Sequence, residues 1–326
     1  MCFFLTKRAD SPCLKENRMI IHSVSELIGH TPMMEIHGYA LPKGTRILAK
    51  LEQFNPGGSI KDRLGIKLLE SALKEGKINH QTTIIEPTAG NTGIGLGLAA
   101  LTYGMPTLFV VPEKFSVEKQ ELMRALGAQI IHTETDEGIT GAIEKAKSLQ
   151  ADMDNAYVPL QFENPANPLT YYETMGPEIL SDLEGVNPSA VVVGAGSGGT
   201  FSGLSRYFKE QSQNIRMAVV EPVGSIIGGG KPGPHETEGI GMEFIPDFMK
   251  NEVMDAVYTI SDEEAFYYTK ELARRNGLFV GSSSGAAFAG AVKEAEVLPP
   301  GSTIVTIFPD GSERYLSKHI YRGEKD

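Results

Sequence analysis

Four times along this chain an apolar run gives way to a loop of small residues and then to a helix-forming segment. The first passes from Ile47-Leu48-Ala49-Lys50-Leu51 into Asn55-Pro56-Gly57-Gly58-Ser59-Ile60-Lys61-Asp62-Arg63. The second passes from Thr83-Ile84-Ile85-Glu86-Pro87 into Thr88-Ala89-Gly90-Asn91-Thr92-Gly93. In the third, Ala190-Val191-Val192-Val193 leads into Gly194-Ala195-Gly196-Ser197-Gly198-Gly199-Thr200. In the fourth, Leu278-Phe279-Val280 leads into Gly281-Ser282-Ser283-Ser284-Gly285-Ala286-Ala287. Continuous apolar strands separated by helices are what a mainly parallel sheet covered on both faces requires, so the expected fold class is α/β. Further strands are expected over 107–112, 128–132, 217–220 and 304–308, with helices over 116–126 and 140–149.

In such sheets ligands bind at the loops that follow the strand C-termini. A helix opened by glycine leaves several N–H donors free for an anion, most often phosphate, and 196–200 has that form. Ser59 followed by Asp62 reads as a capping-box start, which makes Lys61 the second residue of a helix. The positive end of the helix dipole disfavours a cation there and pushes the lysine toward its nucleophilic amine. An exposed lysine on a first turn would share the same local sequence. One anion cradle, one candidate amine nucleophile and further polar loops together point to pyridoxal 5'-phosphate (PLP). That cofactor needs an anion site, a Schiff-base lysine and contacts to its ring. A second reading stays open on the third loop alone. Gly194-x-Gly196-x-x-Gly199, with Glu221 after the next strand, also fits a dinucleotide fingerprint and would make the chain an NAD enzyme.

Several segments in one order say more than any of them alone. They are Ile28-Gly29-His30-Thr31-Pro32-Met33, the stretches 55–63 and 86–93, Gln161-Phe162-Glu163-Asn164-Pro165, the stretch 196–200, Glu238-Gly239-Ile240-Gly241 and 283–287. With them the chain resembles the fold-type II PLP enzymes, specifically the cysteine synthase and cystathionine β-synthase group, from about Ile21 to about Tyr321. Within that group it is most similar to the bacterial branch that uses O-acetylserine with homocysteine. The resemblance implies two three-layer α/β/α domains of the tryptophan synthase β-like fold. Residues 19–57 and 164–326 would form the large PLP-binding domain and 58–163 a small mobile one. The active site would lie between them, with the glycine-rich loop 228–234 near its entrance.

The resemblance also implies roles. Lys61 would hold PLP through a Schiff base and, released by the incoming amino acid, remove its Cα proton. Gly196, Ser197, Gly198, Gly199 and Thr200 would bind the cofactor's phosphate, Asn91 its 3-oxygen and Ser283 its pyridine nitrogen. A neutral hydroxyl at that nitrogen suits β-elimination better than transamination, although three adjacent serines compete for the register. Thr88, Ala89, Asn91, Thr92 and Gln161 would receive the substrate carboxylate. Ala89 departs from the serine usual in the group and offers only its backbone. The implied reaction is β-replacement, in which O-acetylserine (or serine) loses its β-substituent and a thiol adds. Sulfide would give cysteine, and homocysteine would give cystathionine. His235-Glu236-Thr237-Glu238 and Gly224-Ser225-Ile226 lean toward the second product. Glu238 would then attract the ammonium group of homocysteine, though a loop-capping acid would look the same. A homodimer is implied. Some members of the group dock the tail of serine acetyltransferase, which makes that enzyme a candidate partner.

Composition narrows the remaining classes. The 326 residues suffice for two cores, and 41% hydrophobic with 22% charged is ordinary for a globular protein. A net charge of -11 is wrong for a nucleic-acid partner. No apolar run approaches the roughly 20 residues that cross a bilayer, so no membrane is expected. The two cysteines, Cys2 and Cys13, imply no disulfide framework, which fits a reducing, cytoplasmic location. Residues 1–18 lack periodicity and read either as a disordered N-terminal extension or as an over-long start of the reading frame. Cys13 and His22 lack the neighbourhood of a haem-binding segment.

Overall fold

Strand and helix alternate along a computed structural model, which describes residues 20–88, 90–113 and 116–321. The chain opens with β1 (Met33–Ile36) and β2 (Arg46–Leu51), an antiparallel pair. Then come α1 (Lys61–Lys74), β3 (Thr83–Pro87), α2 (Asn91–Tyr103), β4 (Thr107–Pro112) and α3 (Val117–Ala125). They are followed by β5 (Gln129–Thr133), α4 (Gly138–Asp152) and β6 (Ala156–Tyr157). Next are α5 (Ala166–Glu173), α6 (Met175–Asp182), β7 (Ala190–Gly194), α7 (Gly199–Gln211) and β8 (Arg216–Pro222). The last are β9 (Ala256–Ile260), α8 (Asp262–Asn276), α9 (Ser282–Val297) and β10 (Thr303–Phe308). No helix among the described residues is long and apolar enough to cross a membrane.

The strands form two sheets. One runs β1-β2-β10-β7-β8-β9 and is parallel except at β1, with Ile47 of β2 opposite Ile304 of β10. The other runs β5-β4-β3-β6 and is parallel throughout. The continuous apolar runs now have a cause, because successive strand residues face opposite sides and both sides are covered. In β7, Ala190 and Val192 join Ala286, Phe288 and Ala289 of α9, while Val191 and Val193 join Phe201, Leu204 and Phe208 of α7. Ile84, Phe109 and Val111 face Leu64, Leu68 and Leu96 on one side of the smaller sheet. Ile85, Leu108 and Val110 meet Ala142 and Ala146 on the other. Each fully buried Val, Leu, Ile or Phe side chain among these contributes about 1.5–3 kcal/mol.

Two devices fix the helix that begins at Lys61. First, α1 and α2 cross glycine to glycine. A Cβ on Gly65 would collide with the carbonyl of Gly95, and one on Gly95 would collide with that of Lys61. Second, the buried Arg63 grips two carboxylates. Its Nε donates to Glu52 at 2.7 Å and its Nη1 to Glu178 at 2.6 Å. Lys50 joins them, donating to the Thr31 carbonyl at 2.6 Å and to Asp182 at 2.8 Å. The start of α1 is thereby tied to β2 and α6.

Two local expectations are corrected. Leu278–Val280 does not form a strand, since Val280 makes only an isolated bridge to Gly311. β10 already has β2 and β7 on its two sides, so the short run has no edge to join there. Its buried Leu278 and Val280 pack into the layer under α9 instead. Ser59 is not the helix cap either. The helix begins at Lys61 itself, with Ser59 Oγ accepting from Lys61 N at 3.2 Å. Asp62 does not reach back to Ser59, because its carboxylate accepts from the Gly57 N–H.

Candidate active site

The loops after β3, β7 and β10 surround one cavity of about 820 Å³. Lys61 lies on its wall at the positive end of α1. Burial pushes its amine down to about 8, opposed in part by the nearby Asp310. A lysine so placed reaches its neutral, nucleophilic form near physiological pH.

The loop after β3 is held from within. Thr88 Oγ1 accepts from the N–H groups of Gly90 at 3.1 Å and Gly93 at 3.2 Å. Asn91 presents its amide at the cavity edge, donating to Asp310 at 2.7 Å and accepting from Arg314 at 2.7 Å. The Tyr315 hydroxyl donates to the same Asp310 oxygen. Thr92 donates to Gln161 Oε1 at 2.9 Å. Gln161 is positioned from below by Glu86, whose carboxyl accepts from Leu160 N at 3.0 Å and Gln161 N at 3.2 Å. Burial pushes that carboxyl up to about 8. Leu160 holds a left-handed φ of 54°, a strained conformation that the Glu86 contacts help maintain. Ala89 lies outside the described residues, as do Cys2 and Cys13.

The loop after β7 has the form of the anion cradle expected from the sequence. Gly198, at φ 81°, caps α7, and the first N–H groups of a helix have no partner within it. Gly196, Ser197, Gly198 and Thr200 line the cavity. Gly199 stands behind them, where a Cβ would run into Asn167. Asn167 joins this loop to the Gln161 segment, donating to the Gln161 carbonyl at 2.8 Å and to Ser197 Oγ at 3.1 Å. Of the three serines opening α9, Ser282 and Ser283 reach the wall. The Ser282 oxygen accepts from Glu238 N at 3.3 Å.

Two acids behave differently from their sequence reading. Glu221 is buried, accepting from Ile227 N at 2.9 Å, Gly228 N at 3.0 Å and Thr259 at 2.9 Å. It holds the glycine-rich loop and leaves the dinucleotide reading without its ribose acid. Glu238 does line the cavity, but not as a free acid. It pairs with Lys119 at 2.9 Å and with Lys318. Burial works to raise its carboxyl, yet the two lysines hold it below the usual range. Lys119, Asp310, Arg314 and Tyr315 were missed in the sequence. Asp310 carried a usable signal, since Pro309-Asp310-Gly311 is a turn at the C-terminal end of a recognised strand. Lys119 carried none, being one lysine of a charged helix.

A family model described as pyridoxal-phosphate dependent enzyme matches residues 24–310. The chain belongs to that family. Among the relatives of this PLP-dependent enzyme, a Helicobacter pylori protein named cysteine synthase is 58% identical, over 93% of this chain and 99% of the relative. A Bacillus subtilis protein named O-acetylserine dependent cystathionine beta-synthase is 53% identical, over 93% and 99%. The crystal structure of O-acetylserine dependent cystathionine beta-synthase from Helicobacter pylori superposes with a TM-score of 0.91. It is 57% identical, over 93% of this chain and 100% of that one.

The residues present fit the cofactor. The cradle is free of side chains at Gly196 and Gly198, and a Cβ on Gly196 would strike the Gly239 carbonyl. Lys61, the Asn91 amide and the Ser283 hydroxyl share the same cavity wall. That set is the one a PLP site would need, with glycine-opened N–H donors for an anion, an amine and two polar groups for the ring.

Proposed function

We propose that this PLP-dependent enzyme carries out β-replacement on O-acetylserine with homocysteine as the acceptor, giving cystathionine. The observation that carries the choice of acceptor is the extent of the cavity. It continues from Lys61 past Tyr315 to Glu238 and Lys318, and this outer part is lined by charged groups that sulfide does not need. The cofactor, when bound, supplies an electron sink that acidifies the donor's Cα–H. Lys61 Nζ takes that proton and retains it for return. Ser283 holds the ring nitrogen without forcing its protonation, and Asn91 orients the ring. Thr88, Thr92 and Gln161 bind the donor's carboxylate, and 196–200 anchors the phosphate. The segment 58–163 closes over the site and excludes water during the exchange. A homodimer in the cytoplasm, with serine acetyltransferase as a candidate partner, belongs to the same reading.

The second reading is cysteine synthesis from sulfide, favoured by the name of the Helicobacter pylori relative. A competition separates them. The holoenzyme receives O-acetylserine with equimolar homocysteine and sulfide, and products are resolved by mass. Cystathionine in excess supports the proposal, and cysteine in excess replaces it with the second reading.

A further inference from the structure

Three charged side chains from separate parts of the chain meet in the outer cavity. Lys119 comes from α3, Glu238 from the segment before Gly239, and Lys318 from the final 3-10 turn Ser312–Lys318. Glu238 bonds Lys119 through one carboxylate oxygen and Lys318 through the other. Lys119 is fixed, with its shaft against Gly90 and its ammonium 4.3 Å from the centre of the Tyr315 ring. Its side chain is 5% exposed, whereas that of Lys318 is 50% exposed.

Glu238 needs only one of these cations. Its bond to Lys318, on the solvent side, is an exposed ion pair, a kind that contributes little and exchanges readily. A second carboxylate entering the cavity could take over Lys318 while Glu238 kept Lys119. Glu236 and Glu243 also line the wall and are exposed, and among the described residues neither side chain is in an ion pair. The outer cavity therefore offers both a cation and free acids, which matches an amino-acid zwitterion.

We infer that Lys318, backed by Lys119, docks the carboxylate of an amino-acid thiol, and that Glu238 positions the two lysines rather than taking the acceptor's ammonium. The inference rests on the amino-acid acceptor proposed above.

The test compares two acceptors on the O-acetylserine-supplied holoenzyme. Homocysteine carries the carboxylate, and 3-aminopropanethiol is the same thiol without it. Lys318→Gln is expected to lower the ratio of their kcat/KM values about tenfold, and Lys318→Arg to restore most of it. Glu238→Gln, which loosens the two lysines, is expected to lower kcat/KM for homocysteine and spare 3-aminopropanethiol, whereas an ammonium-binding Glu238 would make both acceptors fall together and leave their ratio unchanged. The visible band of bound cofactor reports folding of each variant. An unchanged ratio in Lys318→Gln, with cystathionine still made by the wild type, overturns the inference and leaves the acceptor reading standing. A wild type that uses sulfide but not homocysteine overturns the acceptor reading, and the inference with it.

Discussion

Lys61 owes its chemistry to the place where α1 begins. Burial and the helix terminus both favour the neutral amine, while Asp310 favours the ammonium, and the balance lies at about 8. The amine fraction rises with pH through that value. Recapture of PLP by cofactor-stripped protein should therefore speed up between about pH 7 and 9 and then level off, read from the growing visible band. A plateau reached only near pH 10.5, the ordinary lysine value, would contradict this. Lys61 was legible because glycines, a polar loop and a strand surround it in sequence. Its exact capping was not, because that depended on Asp62 turning to Gly57. Glu238 shows the same limit. Its presence in the cavity was legible, but its charge state depends on lysines that lie far away in sequence.

At the level of elements, the crossing of α1 and α2 sets the spacing of the site. Lys61 opens one helix and Asn91 opens the other, and Gly65 and Gly95 let the two backbones touch. Gly95→Ala should force them apart, at a cost of about 1–3 kcal/mol in a urea titration. It should also reduce kcat, because the lysine moves relative to the amide. Wild-type stability and kcat in that variant would show that the close crossing is not needed. Strands and helices were legible wherever an apolar run was long enough to be buried on both faces, as in β4 and β7. Leu278–Val280 was misread because a three-residue apolar run says only that it is buried, not that a neighbouring strand edge is free.

On the scale of the whole molecule, buried carboxyls set the pH response. Burial raises Glu86 from 4.5 to about 8 and Asp62 from 3.8 to about 7. Between those limits the native chain holds protons that the unfolded chain has lost, so stability falls as pH rises. Glu178 has the opposite sign. Burial works to raise it, but Arg63 holds it down at about 2, so its contribution is lost only on stronger acidification. The urea midpoint of the cofactor-free protein should be higher near pH 5 than near pH 8, and Glu86→Gln should flatten the slope. A midpoint that climbs toward pH 8 would count against this account. The order of strands in the larger sheet also bears on how the chain leaves the ribosome. β2 lies between β1 and β10, so its inner edge waits unpaired until almost the entire chain has been made. The strands of the other sheet all fall between Thr83 and Tyr157 and can pair as soon as they emerge. Synthesis thus completes the middle of the molecule before its beginning. A nascent chain stalled short of residue 303 carries an open, apolar strand edge, the form most exposed to aggregation and most in need of a chaperone.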